Sequence, residues 1–151
     1  EDDMFRVILD LGPASPGHML ILPKEHYANL YELPEEIAAE AMKLAKKLAI
    51  AAKAALNADG VNVVQNNEEA AGQTVMHYHL HVIPRFEGVG DVPLWEPGSA
   101  APEELAEQAA KIAEKLKPVF DSRPQGSRYI KFLSPGVLIK YESEAKIYKK
   151  I

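Results

Sequence analysis

The sequence predicts an antiparallel α+β domain. Three observations lead there. Four short apolar runs are cut by proline and glycine, a long amphipathic stretch separates the second run from the third, and strand and helix do not alternate as a parallel sheet would require.

Phe5-Arg6-Val7-Ile8-Leu9 reads as the first strand, closed by the turn signal Gly12-Pro13. His18-Met19-Leu20-Ile21-Leu22 follows Pro16-Gly17 and is expected to stop at Pro23, so the two runs suggest neighbouring antiparallel strands. Pro34-Glu35-Glu36 opens a helix, because proline suits the first turn and the acids face the positive end of the dipole. Its apolar face is expected to hold Ile37, Ala41, Leu44, Leu48, Ala52 and Ala55, and it should end near Asn57–Gly60. Val61-Asn62-Val63-Val64-Gln65 is β-branched and strand-like. After the polar loop Asn66–Ala71, the alternating run Thr74–Ile83 is expected to form one continuous strand ended by Pro84. Pro102-Glu103-Glu104 opens a second helix with Leu105, Ala109, Ile112 and Leu116 on one face, running to Pro118. Tyr129–Leu133 and Val137–Tyr141 read as two further strands about Ser134-Pro135-Gly136.

At 151 residues one domain is the default, and 47% hydrophobic content excludes wholesale disorder. The absence of cysteine excludes disulfides, a thiolate nucleophile and a cysteine zinc site. A net charge of −5 argues against nucleic acid as a partner, and no apolar run approaches the length of a membrane span. Glu1-Asp2-Asp3 does not resemble a secretory leader, so the expected location is cytoplasmic. Charge is uneven along the chain. Residues 1–120 carry 10 basic and 19 acidic side chains, whereas 121–151 carry 7 and 3. The expected organisation is therefore a domain over 1–120 and a basic extension over 121–151, joined at the turn-rich Asp121–Ser127.

His77-Tyr78-His79-Leu80-His81 carries the chemistry. On a strand the three histidines project to one side, about 7 Å apart in succession, while Tyr78, Leu80 and Val82 face the core. Three readings compete. His-x-His can supply two metal ligands, with a third from elsewhere. A solvated sheet face could carry histidines by coincidence. Alternatively, one imidazole, largely unprotonated near neutral pH, attacks phosphorus while its neighbours hold phosphate oxygens or assist a leaving group.

The run Ala71 to Arg85, containing His77-Tyr78-His79-Leu80-His81-Val82-Ile83, resembles the signature of the histidine triad (HIT) family. Pro16–Lys24 resembles the family segment bearing a fourth active-site histidine, here His18, and Val64-Gln65-Asn66-Asn67 resembles its asparagine-bearing strand end. The resemblance spans roughly residues 1–118. It implies a HIT-like fold with a five-stranded antiparallel sheet, two helices and a homodimer. It also implies a hydrolase or transferase acting at a nucleoside α-phosphate, on a phosphoramidate or dinucleoside polyphosphate, with an AMP-like purine nucleotide as partner and no metal or other cofactor. By the same resemblance His79 is the nucleophile, oriented by the His77 carbonyl. His81 serves phosphate or leaving group, and His18 completes the cluster. Gln73 and Thr74 contact phosphate, Asn66 lies near the leaving group and Asp10 grips the ribose. Arg85 is expected to contact substrate or to be a rim charge, Trp95 resembles a family region that approaches the partner subunit's site or else serves packing, and His26 is expected on the surface.

Two features depart from the family pattern. Glu68 stands where glycine is usual, which costs if the backbone there needs positive φ and which places a negative charge near the phosphate site. Lys146-Ile147-Tyr148, in the basic tail, faintly resembles the family's leading Lys-Val-Tyr-Glu strand. The tail is therefore expected either to complete the sheet edge, by permutation, engineering or a lineage-specific extension, or to form an accessory hairpin. Glu68, together with the expectation that the family's usual leading segment does not precede Glu1, motivates the alternative of a catalytically weak nucleotide binder or engineered scaffold with the HIT fold.

Overall fold

The computed structural model describes residues 1–89 and 98–121, the last five of them by backbone alone. The chain divides into two units, Glu1–Pro93 and Leu94–Ile151. The expected boundary near Asp121 lies at the limit of the described residues. The two strands expected beyond it, Lys146–Tyr148 and Trp95 lie outside the described residues.

In the first unit, strands β1 (Phe5–Leu9), β2 (Met19–Pro23), β3 (Gly60–Val64) and β4 (Leu80–Arg85) form one sheet in the order β1-β2-β4-β3. Every neighbouring pair is antiparallel. Helix α1 (Glu35–Leu56) connects β2 to β3. The sheet has four strands among the described residues, not the five expected.

Registry places Val7 opposite Ile21 and Ile21 opposite Leu80, so Phe5, Ile21, Leu80 and Val82 share the face that packs on α1. Ala41 and Ala45 on α1 are fully buried against that face, and their small side chains let the helix axis approach the sheet closely. Ile37, Leu44 and Leu48 flank them, half-buried. Two positions differ from the expected stripe: Ala45 is buried and Ala55 is exposed. The helix begins on Pro34 with Glu35 and Glu36 in its first turn, and stops at Asn57, whose backbone is left-handed. Lys53 reaches past the end to the carbonyls of Ala58 and Asp59, tying the helix to the connection that leads into β3.

The expected strand Thr74–Ile83 is corrected at both ends. Residues 72–79 are bends and irregular backbone, and β4 begins only at Leu80. The chain there is held by side chains and by one main-chain bond to a distant loop, Tyr78 N–H to the Tyr27 carbonyl, instead of by a ladder. At the other end Pro84 lies within β4 opposite Val61. Its carbonyl accepts the Ser15 hydroxyl, so the side lacking an N–H faces the hairpin loop beyond the last β2 pairing, Met19 to Val82. No ladder bond is lost, which is why proline is tolerated in this central strand.

The second unit is described through helix α2 (Pro102–Asp121), which opens on Glu103 and Glu104. Of its expected face, Leu105, Ala109 and Leu116 are half-buried and Ile112 is exposed. No helix among the described residues is long and apolar enough to cross a membrane.

Candidate active site

The face of the sheet opposite α1 carries the histidines. His81 lies opposite Leu20 and Val64 near the start of β4, pointing away from Val82 and the helix. His18 stands one residue before β2, with its carbonyl accepting the Asp10 N–H, so the hairpin brings Asp10 and His18 together. His79 and His77 come from the irregular segment before β4, so the triad is not a single stripe on one strand, as the alternation had suggested. The bend nevertheless brings His79 against His81, with ring centroids 4.9 Å apart and edge-on.

Hydrogen-bond partners determine which nitrogens carry protons. A carbonyl can only accept, so the 2.7 Å contact of His79 Nδ1 with the His77 carbonyl places the proton on Nδ1. In the neutral ring the Nε2 lone pair is then free. An amide can only donate, so Ala14 N–H, 3.1 Å from His18 Nδ1, makes that nitrogen an acceptor and puts the His18 proton on Nε2. His18 Nε2 lies 2.9 Å from His81 Nδ1 and donates to it, which leaves His81 with its own proton on Nε2. The direction of the Ala14–His18–His81 chain thus presents an N–H donor beside the lone pair of His79.

Both inner histidines are held neutral. The His18 ring is buried, and desolvation first, with the Arg85 cation adding to it, lowers its pKa below the ordinary histidine value despite the opposing Asp10 charge. Burial lowers His81 likewise, helped by His79 and His18 and opposed by Asp10. Asp10 approaches His18 Nδ1 to 3.6 Å, but that nitrogen is occupied by Ala14 N–H and has no proton to give. The carboxylate therefore acts on His18 through space, and its other oxygen accepts Gly12 N–H at 2.8 Å. Asp10, His18 and His81 have potential ligand atoms within 4.8 Å of one another. The nitrogens of His18 and the Nδ1 of His81 are, however, already engaged in hydrogen bonds.

The other expected residues divide in two. Gln73 is buried and fully employed: Oε1 accepts Glu68 N–H, and Nε2 donates to the carbonyls of Ala28 and Val75. Its own N–H goes to the Glu68 carbonyl, so neither side chain nor amide is left for a phosphate. Asn67 is similarly spent, between Gln65 Oε1 and Leu30 N–H. Asn66 makes no side-chain hydrogen bond among the described residues, and Thr74 is exposed. Arg85 is anchored by Nε to Asn62 on β3. His26 is exposed, as expected, yet its ring meets that of His77 with centroids 5.2 Å apart, a pairing that the motif pattern did not reveal. The available signal was its place just beyond Pro23, the residue that ends β2.

A small antiparallel sheet with one helix on its inner face and a cluster of directed imidazoles on its outer face defines an α+β histidine-cluster domain. The family model of the HIT domain matches residues 1–88. The chain is 36% identical over 119 residues to "Protein hit" of Bacillus subtilis, covering 77% of this chain and 82% of that one. It is 38% identical over 114 residues to the adenosine 5'-monophosphoramidase hnt1 of Schizosaccharomyces pombe, covering 72% and 80%. The crystal structure of a HIT family protein from Bacillus anthracis superposes with a TM-score of 0.70 at 38% identity, over 76% of this chain and 84% of that one. This chain belongs to the HIT family.

Proposed function

We propose that this protein is a nucleotide hydrolase or transferase that attacks the α-phosphorus of a nucleoside phosphoramidate or dinucleoside polyphosphate. The observation that carries the reading is the bond from His79 Nδ1–H to the His77 carbonyl, which leaves Nε2 available as a nucleophile. The relative named as an adenosine 5'-monophosphoramidase supports the substrate class. In this mechanism His79 Nε2 forms a bond to phosphorus and the P–N or P–O bond to the leaving group breaks. The nucleotidyl imidazolium retains its Nδ1–H against the His77 carbonyl, which stabilises the positive charge. His81 Nε2–H donates to a phosphate oxygen or to the departing atom, and Asn66 and Asp10 offer polar contacts to leaving group and ribose. Water then attacks phosphorus, so that overall hydroxide adds to phosphorus, a proton goes to the leaving group and His79 is regenerated. A homodimer working in the cytoplasm belongs to the same reading and rests on the family resemblance.

One observation favours a second reading, a nucleotide binder with weak turnover. Glu68 has φ 66° and ψ 164°, a conformation almost reserved for glycine, and it carries a carboxylate near the site loop. Incubation with adenosine phosphoramidate and with diadenosine polyphosphates separates the two. AMP release that is abolished in His79→Ala, with a nucleotidyl adduct on His79 trapped in the intact mass, supports the enzyme. Tight AMP binding without release supports the binder.

A further inference from the structure

The triad segment has an unusual support. Residues 77–79 precede β4, so no sheet ladder holds the His77 carbonyl that orients His79. The main chain is tied there by Tyr78 N–H to Tyr27. The remaining fixation comes from the His77 ring, which is gripped at both nitrogens. Nε2 lies 3.1 Å from the Pro23 carbonyl at the end of β2, and Nδ1 lies 2.9 Å from Nδ1 of His26. The Pro23 carbonyl only accepts, so the His77 proton is on Nε2 and the neutral ring offers a lone pair at Nδ1. The His26 contact is a hydrogen bond only if His26 carries its proton on Nδ1. The rings lie 26° from parallel with centroids 5.2 Å apart, as nearly coplanar rings meeting nitrogen to nitrogen would. The charged neighbours on the His26 segment are engaged elsewhere: Lys24 faces Glu1, and Glu25 accepts the Tyr27 hydroxyl.

We propose that His26 is a positioning residue for the reaction, clamping the His77 ring through an Nδ1–Nδ1 hydrogen bond and so fixing the carbonyl that aims His79. His26 touches no reacting atom; it acts through His77. The inference rests on His79 being the nucleophile, as proposed above. Its role is geometric, and misplacing a nucleophile by a fraction of an ångström is costly to the chemical step while leaving substrate affinity alone.

The test compares His26→Ala and His26→Asn with the parent chain. An exposed ring makes both substitutions compatible with folding. His26→Ala is expected to lower kcat for adenosine phosphoramidate by about tenfold or more with KM changed less than about twofold. His26→Asn, whose amide N–H can donate to His77 Nδ1, is expected to restore most of the loss. Nitrogen-detected imidazole NMR supplies a readout that needs no turnover. The parent should show His79 protonated at Nδ1 and His77 at Nε2, and His26→Ala should average the tautomers of both. Unchanged kcat and tautomers in His26→Ala would overturn the clamp, as would an asparagine variant no better than alanine. If the parent turns over no nucleotide, the enzyme reading fails, and the tautomer spectra still decide the clamp.

Discussion

Gln73 and Asn66 looked alike in the sequence, two amides in the loop ahead of the triad, and the structure gives them different hydrogen bonding. Gln73 joins three separate stretches of backbone from a buried position. Gln73→Ala leaves Glu68 N–H and the carbonyls of Ala28 and Val75 without these partners, so a loss of about 2–4 kcal/mol in urea unfolding is expected. Asn66 has no such duties among the described residues. Asn66→Ala is expected to leave stability within about 0.5 kcal/mol while slowing AMP release at saturating adenosine phosphoramidate. A glutamine variant that unfolds no more easily than the parent, or an asparagine variant that loses stability instead of activity, would reverse the assignment. Sequence pattern could not separate the two, because polarity and loop position are the same. What separates them is which amide finds carbonyls within reach after folding.

At the scale of elements, periodicity was informative wherever a regular ladder or helix forms and failed where side chains do the holding. Phe5–Leu9, the 19–23 run, α1 and the β3 run were legible because apolar alternation or a 3.6-residue stripe coincides with a buried face. The triad segment alternates just as well, yet its first half pairs with no strand among the described residues and bends instead. Histidine spacing therefore singled out the candidate residues by resemblance while giving the wrong reason for their proximity. The helix stripe was slightly rotated for a related cause: Ala45, not a larger neighbour, meets the sheet at closest approach. Ala45→Leu must overfill that contact and is expected to cost about 1–3 kcal/mol, read from the denaturant midpoint. Glu68, which heads the short 3-10 turn Glu69–Ala71, marks the opposite situation, in which the sequence warned of strain and the backbone carries it. Glu68→Gly is expected to gain about 1 kcal/mol in the same assay, since the relieved strain exceeds the added freedom of the unfolded chain. A destabilised glycine variant would mean that the carboxylate makes a compensating contact.

For the sheet unit as a whole, the division into a packed face and an imidazole face sets how stability responds to acid. His18 and His81 are held below the ordinary histidine pKa chiefly by burial, so the unfolded chain binds protons at these positions more readily than the folded one. Stability attached to them is present above the unfolded value, about 6.5, and is lost as pH falls through the lower folded values. The hydrogen-bond directions give the same sign independently. An added proton on His18 Nδ1 would confront Ala14 N–H, and one on His81 Nδ1 would confront the proton on His18 Nε2, so the chain of donors is intact only when both rings are neutral. The carboxylates of Glu1 and Asp2, lowered respectively by the Arg6 and Lys24 contacts and by backbone N–H groups, push in the same direction at more acidic pH. Urea midpoints measured from pH 7.5 down to 5.5 should therefore fall for the parent, within a window set by histidine and above that of the carboxylates. His81→Gln, which keeps an acceptor for His18 Nε2–H but cannot titrate, should flatten part of that fall. A parent midpoint that holds or rises over this range would show that the inner imidazoles accept protons in place, and the bond from Ala14 N–H to His18 Nδ1 would then have to break.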